Sequence, residues 1–221
     1  LFDHNEWEAF LKADAENWEK HLKHDAVTII PPEEARKIPR DQILPIASRF
    51  VRTNKDKAGG LQASSRLVVP GHLQDGLPQE GGERTDAPTV PQLGLHLTLS
   101  IAASRRWTIR SFDVSSAFLR GDRMNTELYF KPPKEGLPGV PEGSLIKAEK
   151  GVSGLRVAPR LWFTKAKSIL ETHGFKQLGS LPGVFVLRIN GVLKGMLLLH
   201  VDDGLHIGEG PEYERAIEGL H

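Results

Sequence analysis

The chain has 221 residues, 39% apolar and 26% charged, with no cysteine and a formal net charge of +1. These figures exclude a disulfide scaffold, a thiolate metal centre and a highly charged disordered chain, and no run of about 18 apolar residues offers a membrane span. The start, LFDHNEW, has neither an initiator Met nor a basic-then-apolar leader, so it reads as a cut from a longer chain.

Residues 5–24 place Trp7, Phe10, Leu11, Trp18 and Leu22 among Glu and Lys, which predicts an amphipathic helix of roughly five turns. Pro31-Pro32 ends it, and a short helix is expected from Glu33 to Ile38. Two strands, Arg49–Thr53 and Ser65–Val69, are joined by the turn-rich NKDKAGG, the pattern of a hairpin. Between Arg36 and Arg66 eight basic residues (36, 37, 40, 49, 52, 55, 57 and 66) meet only two acids, Asp41 and Asp56. That excess suits phosphate contact, and it suits a solvated basic face as well.

From Pro70 to Pro88 the composition predicts a loop. Pro91 opens PQLGLHLTLSIAA, read as a helix although Leu93, Leu95, Leu97 and Leu99 alternate as in a strand. Trp107–Val114 reads as a strand, after which Ala117–Leu119 turns away. Beyond the Pro/Gly-rich stretch 131–143, residues 158–173 form a second helix with Leu161, Trp162, Ile169 and Leu170 on its apolar side. Strands Val184–Ile189 and Leu193–Val201 flank Asn190-Gly191, a type I′ hairpin signal. A short strand, Leu205–Gly208, leads to a helix over Pro211–Leu220. Mixed strands with segregated helices predict an α+β fold with an antiparallel sheet.

Two segments concentrate chemistry. In LLLHVDDGLHIG (197–208), Asp202 and Asp203 stand between runs that want burial. Adjacent acids repel unless a cation neutralises them, and Mg²⁺ takes oxygen ligands. Taken alone, Asp-Asp-Gly is first an acidic hairpin turn. In SFDVSSAFLRG (111–121), Asp113 ends an apolar strand; the alternative is a helix N-cap. If both strands share a sheet, three carboxylates converge as the ligand set for two Mg²⁺ ions about 3.5–4 Å apart.

DVSSAFLRG at 113–121 and HVDDG at 200–204 resemble the two catalytic motifs of copia-type retrotransposon reverse transcriptases. GLRVAPRLWF at 154–163, SRLVVPGHLQ at 65–74 and TDAPT at 85–89 are similar to three further segments of that family, in the family's order. The resemblance covers about residues 45–210. It implies a right-hand polymerase core, fingers and palm, with the antiparallel palm sheet flanked by helices and the thumb absent. The implied layout is an N-terminal helical segment at 1–44, a fingers hairpin and loop at 45–90, and a palm at 91–221. That palm carries a fingers insertion near 130–165 and stops before the thumb and ribonuclease H.

The resemblance makes Asp113, Asp202 and Asp203 the catalytic metal ligands, with the Val114 carbonyl as a further ligand, for two Mg²⁺ ions (or Mn²⁺). It places Arg66 over the incoming triphosphate, with Lys55 and Lys57 as lesser phosphate contacts. A surface arginine and a solvated turn are the alternatives. Phe118 would lie against the nucleotide sugar, or else be a core phenylalanine. Gly154 would allow close backbone approach to nucleotide or template, and Trp162 reads as core rather than as a base-stacking platform.

The implied activity is RNA-directed DNA synthesis, adding deoxynucleoside triphosphates to a DNA primer on an RNA template. The implied partners are the integrase and ribonuclease H parts of a Pol polyprotein, in cytoplasmic particles and then the nucleus, with no membrane. The sequence departs from the family at His200, Ser153 and Ser64, where Tyr, Tyr and Lys are usual. A catalytically decayed nucleic-acid-binding remnant and another two-metal enzyme, a nuclease, are the alternatives.

Overall fold

A computed structural model describes residues 4–56, 58–73 and 85–220; Lys57 and most of the loop expected between Pro70 and Pro88 lie outside the described residues. In chain order the elements are α1 (His4–Lys23), β1 (Val27–Ile30), α2 (Pro32–Ala35), β2 (Arg49–Asn54), β3 (Ala63–Val68), α3 (Gln92–Arg105) and β4 (Arg110–Asp113). There follow β5 (Tyr129–Phe130), β6 (Leu145–Ala148), α4 (Ala158–Thr172), β7 (Phe175–Gln177), β8 (Val184–Ile189), β9 (Val192–His200), β10 (Asp203–Gly208) and α5 (Pro211–Glu218). The chain divides into two compact units, Leu1–Thr85 with Phe118–Leu161 and Asp86–Ala117 with Trp162–His221. The fold is mixed, with helices and antiparallel sheets, and among the described residues no helix is long and apolar enough to cross a membrane.

In the first unit β1, β6 and β5 make a three-stranded antiparallel sheet, and β2 and β3 a separate hairpin. Trp18, Leu44, Leu67, Phe130, Ile146 and Val152 centre its core. The sequence predicts α1 as a helix and mistakes part of its buried face. Phe10 and Trp18 are buried, whereas Trp7, Leu11 and Leu22 are exposed, and the polar Asp14 and His21 are buried in their stead. Partners on the hairpin explain this. Arg52 donates to both Asp14 oxygens, from Nη2 at 2.6 Å and Nε at 3.0 Å to Oδ2 and from Nε at 3.2 Å to Oδ1; Ser65 Oγ donates to Oδ1 at 2.5 Å. Asn17 Oδ1 accepts the Leu67 N–H at 2.8 Å. The Arg52 guanidinium also lies 4.7 Å from the Trp7 ring centroid, a cation–π contact.

The second unit holds a five-stranded antiparallel sheet in the order β4-β10-β9-β8-β7. The helix reading of residues 91–103 holds, with Pro91 preceding α3 and Arg106 closing it at φ 56. Ala102 meets Val184, Val186, Met196, Leu198 and Ile207 in the core. Asn190 and Gly191 have φ 49 and 80, the two positive values a type I′ turn requires. In α4, Trp162 and Leu170 are buried as expected, but Ile169 is exposed. From α5, the Tyr213 ring lies over Gly195 and Gly208, where any Cβ would strike it.

Three variants test this packing. Breaking a buried ion pair leaves the surviving charge without compensation, so Asp14→Ala should destabilise the first unit by about 3–5 kcal/mol in urea unfolding. Glu135→Ala, which removes only the exposed partner of Arg52, should cost less than about 1 kcal/mol. His21 donates from Nδ1 to the Asn17 carbonyl at 2.8 Å, while its Nε2 is buried without a partner among the described residues. Burial holds its pKa below the usual value, with nearby His24 adding to the effect. The unfolded chain therefore takes up this proton first as pH falls. The stability His21 lends is complete above about pH 6.5 and is lost as pH drops towards its folded value. The melting temperature of His21→Phe should accordingly fall less than that of the wild type between about pH 7 and pH 5.

Candidate functional site

The site is built by one strand pairing and one turn, both in the second unit. β4 lies antiparallel to β10 with Asp113 opposite Asp203, Phe112 opposite Gly204 and Ser111 opposite Leu205. Residues directly opposed in an antiparallel ladder project to the same face with Cβ atoms about 4.5–5.5 Å apart. Asp113 is therefore a strand-end residue and not a helix N-cap; the next helical turn begins only at Ala117. β9 and β10 are joined by a two-residue turn, Val201-Asp202, closed by the pair His200 and Asp203. The Val114 N–H donates to the Asp202 carbonyl at 2.6 Å, which ties the segment after β4 to that turn.

These contacts bring Asp113, Val114, Asp202 and Asp203 together. All three carboxylates are exposed, and His200 stands exposed beside them. A groove of about 800 Å³ runs along this end of the sheet, lined by Asp113, Asp203, His200, Phe112, Leu95 and Val90 among others. Among the described residues no group of three acidic, histidine or cysteine side chains is already arranged as a metal cage. The donors at the turn are oxygen donors, carboxylates with backbone carbonyls beside them, which is the set a hard divalent cation takes. A second hollow, about 520 Å³, lies by α4 and β7 at the opposite edge of the sheet and is lined by Lys167, Glu171 and Lys176.

The scaffold behind the acids is tightly fitted. A Cβ at Gly204 would collide with the Leu198 carbonyl of β9 and come within 2.6 Å of the Phe112 ring of β4, so the glycine after the paired aspartates lets β10 close on both neighbours. Two residues on, His206 Nδ1 meets the Tyr213 hydroxyl at 2.6 Å. Burial pushes that phenol up to about 12, so it stays protonated and can donate.

The other residues singled out from the sequence fall in the first unit. Arg66 is exposed on β3 opposite Val51, and Lys55 is exposed just after β2. Phe118 is half-buried and packs against the first unit's core. Gly154 has φ 99, and a Cβ there would collide with the Val69 carbonyl; the close approach it permits is to this chain's own backbone. Of the departures, Ser153 accepts the Val69 N–H through its carbonyl at 2.9 Å, and Ser64 sits opposite Thr53. Neither contact depends on the side chain. Arg52, counted in the basic excess, is engaged by Asp14 and Glu135. Sequence reasoning put Trp162 in the core, and it is buried, but its Nε1–H also donates to the Val201 carbonyl at 2.5 Å.

Comparison with known proteins gives the family. The pattern of the family described as reverse transcriptase (RNA-dependent DNA polymerase) matches residues 35–214. The Retrovirus-related Pol polyprotein from transposon RE1 of Arabidopsis thaliana is 29% identical over 185 residues, 83% of this chain and 12% of its own length. That from transposon TNT 1-94 of Nicotiana tabacum is 28% identical over 213 residues, 95% of this chain and 15% of its own. The Transposon Ty1-DR4 Gag-Pol polyprotein of Saccharomyces cerevisiae is 31% identical over 142 residues, 63% of this chain and 8% of its own. The chain thus spans less than a sixth of these relatives. It belongs to the reverse transcriptase (RNA-dependent DNA polymerase) family, of the copia-type retrotransposon kind.

Proposed function

We propose that this chain carries the nucleotide-adding centre of an RNA-directed DNA polymerase within a Pol polyprotein. The observation that carries the reading is the register that sets Asp113 opposite Asp203, one residue from Asp202, on the wall of an open groove. On this reading the first unit serves as fingers and the second as palm.

Asp113, Asp202 and Asp203, with the Val114 carbonyl, would hold two Mg²⁺ ions, for which Mn²⁺ can substitute. Bound there, divalent cations supply Lewis-acid stabilisation of the primer 3′-oxygen and of the departing pyrophosphate. The chain's own groups do the rest. Arg66, which is exposed, binds triphosphate oxygens and offsets charge that builds during transfer, assisted by Lys55. Phe118 bars a ribose 2′-hydroxyl, which favours deoxynucleotides. Gly154 serves by shaping the loop against Val69. The RNA template and DNA primer bind mainly through phosphates. The remainder of the polyprotein, integrase and ribonuclease H included, is the partner, in cytoplasmic particles and then the nucleus.

Primer extension on an RNA template, with the polymerase that carries this chain, tests the reading. Wild type should incorporate deoxynucleotides, lose that activity on chelation and regain it with Mg²⁺ or Mn²⁺. Asp113→Asn and the double variant Asp202→Asn/Asp203→Asn should each fall by about a thousand-fold. Equal incorporation by all forms would remove the metal role. Template binding with no incorporation would mark a decayed remnant, and metal-dependent cleavage without added nucleotides a nuclease.

A further inference from the structure

The peptide just ahead of Asp202 is gripped by a side chain to which the mechanism above gives no task. Trp162 is buried in α4, and its Nε1–H donates to the Val201 carbonyl at 2.5 Å. Val201 has φ 58, and Asp202 is not among the residues with positive φ. That is the sign pattern of a type II′ turn, whose first central position ordinarily takes glycine. A β-branched residue in the left-handed region is an outlier and persists only where its surroundings over-determine it. The surroundings here are two hydrogen bonds, one to each carbonyl of the turn: Trp162 on Val201, and the Val114 N–H on Asp202.

We propose that Trp162 is a positioning residue for the aspartate turn. Its indole N–H holds the Val201–Asp202 peptide in the orientation that keeps Asp202 and Asp203 aimed at the space in front of Asp113. Without that donor Val201 relaxes towards negative φ. The relaxation rotates the peptide and carries the Asp202 carboxylate and carbonyl with it. The backbone bond from Val114 alone fixes only the far side of the turn. The proposal rests on the polymerase reading and deepens it, because it names what holds the metal-binding carboxylates in register.

The test compares wild type with Trp162→Phe and with a chain carrying benzothienylalanine in place of Trp162. The latter keeps the bicyclic volume and lacks only the N–H. Mn²⁺ affinity, followed by electron paramagnetic resonance, should weaken several-fold in both, and kcat should fall between about ten-fold and a hundred-fold. KM for template–primer should stay within about two-fold, as expected when the loss is in positioning rather than binding. Adding Val201→Gly to the Trp162→Phe chain should recover most of the Mn²⁺ affinity, since glycine holds positive φ without a clamp.

Unchanged Mn²⁺ affinity and kcat in the benzothienylalanine chain would overturn the proposal. So would a uniform loss of thermal stability, KM and kcat that glycine at 201 does not repair, which is the signature of lost packing. The polymerase reading fails separately. Wild type that neither binds Mn²⁺ through the aspartates nor extends a primer would remove that reading, and the clamp's purpose with it. Wild type that does both, with unaltered variants, would sink the clamp alone.

Discussion

An antiparallel ladder aligns side chains by register, so the four pairs running from Asp203 and Asp113 to His206 and Arg110 decide which groups can meet at the end of the sheet. A slip of one residue would send Asp113 to the opposite face from Asp203 and dissolve the site. What fixes the register is packing behind the acids. The Leu198 carbonyl of β9 and the Phe112 ring of β4 both close on Gly204, so a side chain at 204 would displace β10 from its neighbours on both sides. His206, one step further along, is pinned to Tyr213 of α5. The carboxylates therefore project into solvent from one end of a sheet whose central strands β8 and β9 are largely buried.

Rigidity at this place has a physical motive. Three acidic groups held near one another repel, and a flexible turn would spread them until the repulsion faded. The β9–β10 hairpin resists through its backbone rather than through side-chain partners of the acids themselves. One carbonyl of the turn is held from α4 and the other from the segment after β4. Among the described residues no hydrogen bond that supports the turn uses a carboxylate oxygen of Asp113, Asp202 or Asp203; the Asp202 atom that serves is its main-chain carbonyl. A carboxylate held by an arginine, as Asp14 is by Arg52, would be equally well fixed and of no use to a metal.

Long or strongly punctuated elements were legible in the sequence. Asn190-Gly191 marked its hairpin, the aromatic and aliphatic spacing marked α1 and α4, and apolar runs marked β8 and β9. The short strands β1, β5, β6 and β7, of two to four residues, were not legible, because such segments become strands only through their partners. Leu93, Leu97 and Leu99 illustrate a different difficulty: α3 leaves all three exposed, so apolar character alone could not reveal its buried side. At the site, residue type singled out the three acids, but taken alone Asp202-Asp203-Gly204 read first as a turn, and only the resemblance of the motifs joined them to Asp113; Gly204 lies in β10 and not in the turn. The Trp162 bond could not be read at all, since its acceptor is a backbone carbonyl 39 positions away and leaves no mark in composition. The buried pairing of Asp14 was hidden for the same reason, as periodicity assigns a lone acid to the wet face of a helix.

The first unit shows why a count of basic residues overstates what phosphate can meet. Arg52 lies in the middle of the basic stretch, yet its guanidinium is taken up by Asp14, Glu135 and the Trp7 ring. Strand alternation then separates the tasks along the hairpin. The Ser65 side chain turns towards α1, where Asp14 receives it, so its neighbour Arg66 projects to the other face; the Leu67 main-chain N–H adds a bond to Asn17 of α1. The ion pair that occupies Arg52 fastens the hairpin to α1, while Arg66 stays exposed on β3. Charge buried for structure and charge presented to solvent are adjacent products of a single alternating strand pair.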